Sequence, residues 1–144
     1  MCFSATAFLD MLRLGKDFDA VVDSEAFARL YAQRLDRGGI KTPKAMDDAA
    51  IRMGGEIAEM VREWRLRQTA EFEQELFKQA KRLADAERTL QTKETKKALS
   101  DQRIATTKVD QLKVRIADLK RTEPKDRDSR IFPGVYASVI ATEN

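Results

Sequence analysis

The second residue of the chain, Cys2, is its only cysteine. A small residue after Met1 permits removal of the initiator methionine, which leaves Cys2 with a free α-amine beside its thiol. An α-amine has a pKa of about 8, so a useful fraction is neutral at physiological pH. An amine and a thiol on adjacent carbons condense with an aldehyde. The amine forms an imine, and the thiol closes it into a thiazolidine ring. This is covalent capture by a nucleophile. The plainer reading of Cys2 is a small residue near a terminus, because thiol reactivity depends on the surroundings.

Composition excludes much other chemistry. The 144 residues include no histidine, so mechanisms that need an imidazole base, and most zinc sites, cannot be built from this chain alone. Gly38–Gly39 and Gly54–Gly55 are isolated pairs without the pattern of a phosphate-binding loop. No cofactor is expected. A single cysteine forbids an internal disulfide and fits a reducing, cytoplasmic setting. No apolar run reaches about 18 residues, so no membrane span is expected. The opening MCFSATAFLDMLRLGKDF lacks the basic leader and apolar stretch of a secretion signal. The net charge of +3 tolerates a nucleic-acid partner without requiring one.

The elements that must position Cys2 fall into three zones, 1–43, 44–123 and 124–144. In the first, Ser4 is expected to cap a short helix holding Phe8, Leu9, Met11 and Leu12 and ending at Gly15. Ser24 is expected to cap a second helix, with Phe27, Leu30, Tyr31 and Leu35 at helical spacing and Gly38–Gly39 at its end. Ile40–Pro43 reads as extended, since proline steers its predecessor away from the helical region.

The second zone opens with a short helix over Ala45–Met53, interrupted at Gly54–Gly55. From Glu56 to Glu123 there is neither glycine nor proline. Apolar residues recur at Ile57, Val61, Trp64, Phe72, Leu76, Leu83 and Leu90. They recur again at Ala105, Val109, Leu112, Ile116 and Leu119, a heptad-like seam. The QTKETKK between Leu90 and Ala98 has no apolar face and predicts a turn. An antiparallel hairpin reversing at residue 93 or 94 places Leu83 near Ile104, Leu76 near Leu112 and Phe72 near Arg115 or Ile116. A single unbroken helix would leave the apolar stripe without a partner. Pairs such as Asp85–Arg88 and Asp118–Arg121 would add a few tenths of a kcal/mol each.

In the third zone Pro124 stops the helix, Lys125–Arg130 reads as a charged loop, and Ile131–Thr142 reads as a strand or strand pair. A lone strand cannot make a sheet, so it either pairs near residues 1–43 or belongs to something larger. The fold class expected is mainly α: a long antiparallel helical hairpin, small N-terminal helices and a short C-terminal β segment.

Four stretches carry a family resemblance: the opening MCFSA, Ile40-Lys-Thr-Pro-Lys-Ala-Met, the block from Glu75 to Arg88, and Arg121-Thr-Glu-Pro-Lys-Asp through Ser129-Arg-Ile-Phe-Pro-Gly. Together they resemble the SOS-response-associated peptidase family of abasic-site processing proteins, in a bacterial and phage-borne branch with a helical insertion. The resemblance covers nearly the whole chain but only the front part of a typical member, and so implies the front of an α+β fold. It implies that Cys2, freed of Met1, links covalently to the opened sugar aldehyde of abasic sites in single-stranded DNA. Members also use an asparagine, a glutamate and a histidine downstream of the matched region. This chain has no histidine, and Asn144 is not assigned the asparagine role. Where members read MCGRF, this chain has Phe3 and Ser4, which removes a cation beside the nucleophile. Arg130-Ile-Phe-Pro-Gly is similar to the family's Arg-Tyr-Asn-x-x-Pro-Gly segment, which makes Arg130 a candidate DNA contact.

Two other readings stand beside this one. A shortened, mobile-element-encoded relative without the chemistry would keep the hairpin as a protein-binding device, for instance an inhibitor of a host defence complex. A dimeric structural helical protein is the third. Lys78, Lys81, Arg82, Lys96 and Lys97 are interleaved with acids and read as a solvated face before a nucleic-acid face. Trp64 and Phe72 read as packing residues, Met46, Met53 and Met60 as one packed face. Asp17, Asp19, Asp47 and Asp48 are read in helix-end or turn roles, not as metal ligands.

Overall fold

The computed structural model describes residues 5–6 and 11–141. Its element order is β1 (Ala5–Thr6), α1 (Met11–Asp17), α2 (Ser24–Arg37), α3 (Lys44–Met53), α4 (Gly55–Thr92), α5 (Lys96–Lys120), one 3-10 turn (Asp126–Ser129) and β2 (Arg130–Ile131). The fold is mainly α, as the periodicity requires. Its contacts divide into two compact units, residues 1–64 with 123–144, and residues 65–122.

In the first unit the core gathers Tyr31, Met46, Ala49, Ala50, Ile57 and Val61, with Val22, Phe27, Leu30, Met53, Met60, Ile131 and Ala137 packed around it. The methionine series 46–53–60 therefore forms the packed face expected of it. Helix α2 begins one residue from the expected cap: Asp23, not Ser24, is the N-cap, and its carboxylate accepts from Ala26 N–H at 2.9 Å. Both side chains suit a cap. Helix α3 leaves an extended Pro43 and ends at Gly54. Gly54 has φ +74°, a left-handed conformation that residues with a Cβ reach only at a cost.

Four expectations need correction. The first helix does not end at Gly15; α1 runs through it to Asp17, and Ala20 N–H bonds Gly15 O at 2.9 Å just beyond. The helix expected to follow a Ser4 cap is replaced at Ala5–Thr6 by β1, paired antiparallel with β2 as Ala5↔Ile131 and Thr6↔Arg130. Ser4, Phe8 and Leu9 lie outside the described residues. The charged loop 125–130 contains a 3-10 turn, in which the buried Asp128 carboxylate accepts from Lys125 N–H at 2.9 Å. The strand expected over Ile131–Thr142 shrinks to β2. Pro133 has no N–H to give a ladder, and Gly134, at φ +82°, turns the chain so that Val135 N–H bonds Phe132 O at 3.2 Å.

The second unit is the hairpin. Helix α4 ends at Thr92, and α5 starts at Lys96 with Thr95 as N-cap, its hydroxyl accepting from Ala98 N–H at 3.1 Å. The reversal thus falls within the polar break. Ala86, Ala98, Ala105, Val109 and Leu112 are buried between the arms. Arg115 sits over the Phe72 ring at 5.8 Å, in the register expected. Arg82 bonds Asp101, and Lys120 reaches Glu73 at 3.2 Å. The pairs Asp85–Arg88 and Asp118–Arg121 are present at 3.3 and 3.0 Å. No helix among the described residues is long and apolar enough to cross a membrane.

Candidate functional site

Cys2 lies outside the described residues, and so do Phe3 and Ser4. What is described is the segment that follows them. Thr6 in β1 faces Arg130 in β2, and Ala5 faces Ile131. The ladder therefore ties the chain just after Cys2 to the one other residue expected to meet DNA. Side chains alternate across a strand: Ile131 packs against the core, while Arg130 and Phe132 on either side of it are exposed. The Arg130 side chain makes no ion pair or hydrogen bond among the described residues. Its guanidinium is available to a phosphate.

Beyond β2 the chain turns at Pro133–Gly134, and Tyr136 N–H donates to Lys41 O at 2.9 Å. This bond joins the segment from 132 to 137 to the loop between α2 and α3. Ala137 then packs on the core. A cavity of about 880 Å³ opens beside it, lined by Phe27, Leu30 and Met46 from the helices and by Tyr136 to Ala141 from the last segment. The lining is largely apolar, with Asp19, Asp23 and Tyr136 among its polar members, and Asp23 is already taken as the cap of α2.

The strongest polar constellation lies under this surface. Arg34, on α2, is 3% exposed. Its Nη1 donates to both Asp47 oxygens, at 3.1 and 3.0 Å, and to Thr42 Oγ1, which itself donates to Asp47 Oδ1 at 2.7 Å. Nε and Nη2 find no hydrogen-bond acceptor. They are covered by aromatic faces, with the guanidinium carbon 4.1 Å from the Trp64 ring centre and 4.9 Å from that of Tyr31. A cation over a π face is stabilised by the ring quadrupole. Every face of Arg34 is taken, so this is a locking contact between α2, α3 and the start of α4, with no chemistry to offer. Sequence reasoning missed it, although Arg34 stands on the stripe of Phe27, Leu30 and Tyr31.

Of the four acids that the sequence places in helix-end or turn roles, Asp47 pairs with Arg34, Asp48 with Lys44 at 3.0 Å and Asp17 with Arg13 at 3.3 Å, while Asp19 stands in the turn after α1 at φ +52°. Among the described residues no cluster of three potential ligands forms. On the hairpin, Arg82 pairs with Asp101 and Lys78 with Glu75 at 3.9 Å, as a solvated charged surface would.

Comparison with protein families, curated proteins and solved structures returns no match. The site must therefore be judged on its own residues. Those are the strand pair behind Cys2, the exposed Arg130, and the turn that follows it.

Proposed function

We propose that the chain captures the opened sugar aldehyde of abasic sites in single-stranded DNA through Cys2, once Met1 has been removed. The reading rests on the aminothiol that Cys2 would then carry and on the family resemblance of the four sequence stretches. The structural observation that supports it is the β1–β2 ladder, which sets Arg130 opposite Thr6, four residues after Cys2. A cation there offsets the missing arginine of the MCGRF pattern and gives a flanking phosphate a partner.

The chemistry balances without an added reagent. The neutral Cys2 amine attacks the aldehyde carbon and water leaves, giving an imine. The thiol sulfur then bonds to the former aldehyde carbon while its proton passes to the imine nitrogen. The ring product withdraws the aldehyde from β-elimination, which would otherwise break the strand. Incubation with an abasic oligonucleotide, followed by a denaturing gel, tests the reading. It expects a slow-migrating adduct that Cys2→Ala abolishes. An adduct that survives Cys2→Ala overturns it.

A second reading is favoured by one observation. Leu66 and Phe77 on α4 are 71% and 73% exposed. They stand eleven residues apart, about three turns, and so share a face turned away from the hairpin seam. A helical partner protein would cover that face. A stable complex that survives Cys2→Ala and is lost in Phe77→Asp would support this reading over the first.

A further inference from the structure

We infer that the face of α4 marked by Leu66, Ala70, Phe77 and Ala84 docks a second copy of this chain, with the two α4 helices parallel. The inference rests on the partner-protein reading above and deepens it by naming the partner. It stands apart from the aldehyde chemistry of Cys2.

Three observations carry it. First, the face is a continuous line. Leu66, Ala70 and Ala84 fall within about 20° of the direction of Phe77 around the helix, and all four are exposed. Ala70, Phe77 and Ala84 repeat at sevens, the period of a helix-pairing seam. The line runs about half a turn round the helix from the buried Gln79 and Ala86, so it is not the seam that holds α5. The alanines on either side of Phe77 let a second helix come close. Arg88 ends the line, drawn back to Asp85 at 3.3 Å. Second, the two flanks of the line carry opposite charge. One flank holds Arg67 and Lys81 with Gln74 midway, and the other holds Glu73 and Glu87 with Ala80 midway. Both sets repeat at sevens, and the four charged residues are exposed. Third, these charges are open to a partner. Lys81 and Glu87 make no ion pair among the described residues, and Glu73 accepts Lys120 on Oε1 alone. Arg82 and Asp101, by contrast, are closed on each other across the hairpin.

Charge decides the occupant and its direction. A two-fold axis along parallel helices brings the basic flank of each copy against the acidic flank of the other. Antiparallel helices would set basic against basic and acidic against acidic. The face is therefore complementary to itself in one orientation, as an isologous contact requires. A partner of uniform charge would be drawn to one flank and repelled by the other. Exposed ion pairs add little affinity each, but like charges brought together penalise the wrong arrangement. The apolar gain comes from Leu66 and Phe77. The line from Leu66 to Ala84 is about 27 Å long, which suits a concentration-dependent dimer more than a permanent one.

The test is sedimentation equilibrium of the full chain, in a Cys2→Ala background that prevents disulfide dimers, at concentrations rising through the micromolar range. A monomer–dimer equilibrium is expected, and Phe77→Asp is expected to abolish it. Two charge variants decide the assignment. Arg67→Glu with Lys81→Glu makes both flanks acidic, and Glu73→Lys with Glu87→Lys makes both basic. Each is expected to be monomeric alone, and an equal mixture of the two to dimerise. Ala70→Cys in the same background is expected to form a disulfide with its own counterpart on oxidation. Antiparallel pairing centred on Phe77 would hold those sulfurs about 20 Å apart. Circular dichroism checks that each variant keeps its helices. A chain that stays monomeric throughout, or a dimer that Phe77→Asp and the charge variants leave unchanged, overturns the second copy. If a chain that stays monomeric still captures another protein through Phe77, the partner-protein reading stands and the second copy alone falls.

Discussion

Arg34 and Asp47 form a closed ion pair, with side chains 2% and 5% exposed and a 3.0 Å contact. Removing one member leaves the other as an uncompensated buried charge. Asp47→Ala should cost about 3–5 kcal/mol, read by urea denaturation followed by circular dichroism. The double variant Arg34→Met with Asp47→Leu should recover much of that loss, because apolar replacements leave no charge behind. Equal losses in the two proteins would show that Asp47 matters through something other than its partner.

Gln79 lies in the hairpin seam at 8% exposure; its Oε1 has no partner, while its Nε2 donates to Glu75 at 2.7 Å. A buried acceptor without a donor costs about 1–3 kcal/mol. Gln79→Leu should therefore stabilise the protein by about 1 kcal/mol, seen as a raised melting temperature. A lower one would mean that the amide is satisfied in solution.

How much of this was legible in the sequence depends on how local each cause is. The hairpin was legible because its seam repeats within each helix and its reversal needs only a polar, breaker-free stretch. Phe72 against Arg115 followed from counting outward from that reversal. The Arg34 lock was not legible, because a cation on an apolar stripe looks like an edge residue until Asp47, Thr42 and Trp64 close around it. Pairing of the last segment with residues 1–43 was one of the two expected arrangements and is found, but its partner and its extent were not legible, for a related reason. Two residues, Ala5 and Thr6, are a strand only because Arg130 and Ile131 lie opposite, far along the chain. The β-branched run after Ile131 promised a longer strand, but Pro133 and Gly134 spend it on a turn. Arg130 was read as a cation of interest from its sequence setting. Its position opposite Thr6, and the exposed rings after it, needed the fold.

Leu112 is 7% exposed in the hairpin seam, near the middle of α5. Leu112→Ala should destabilise the protein by about 2–4 kcal/mol through lost transfer energy and the cavity left behind. Val114, 63% exposed on the same helix, should tolerate alanine within about 0.5 kcal/mol. Thermal melts of the two variants compare them directly. Similar losses would contradict the placement of the seam.

Gly54 closes α3 at φ +74°, with open space where a Cβ would stand. Gly54→Ala should cost about 1–2 kcal/mol from backbone conformation alone, without any clash to relieve. A melting temperature unchanged by the substitution would argue against a left-handed residue there.

The central claim is tested most directly by intact mass measurement of the native protein before and after exposure to an abasic oligonucleotide. The account predicts a starting mass lacking Met1, and a product equal to protein plus oligonucleotide less one water, absent from Cys2→Ala. A native chain that retains Met1, or a product that forms equally well without Cys2, would contradict it.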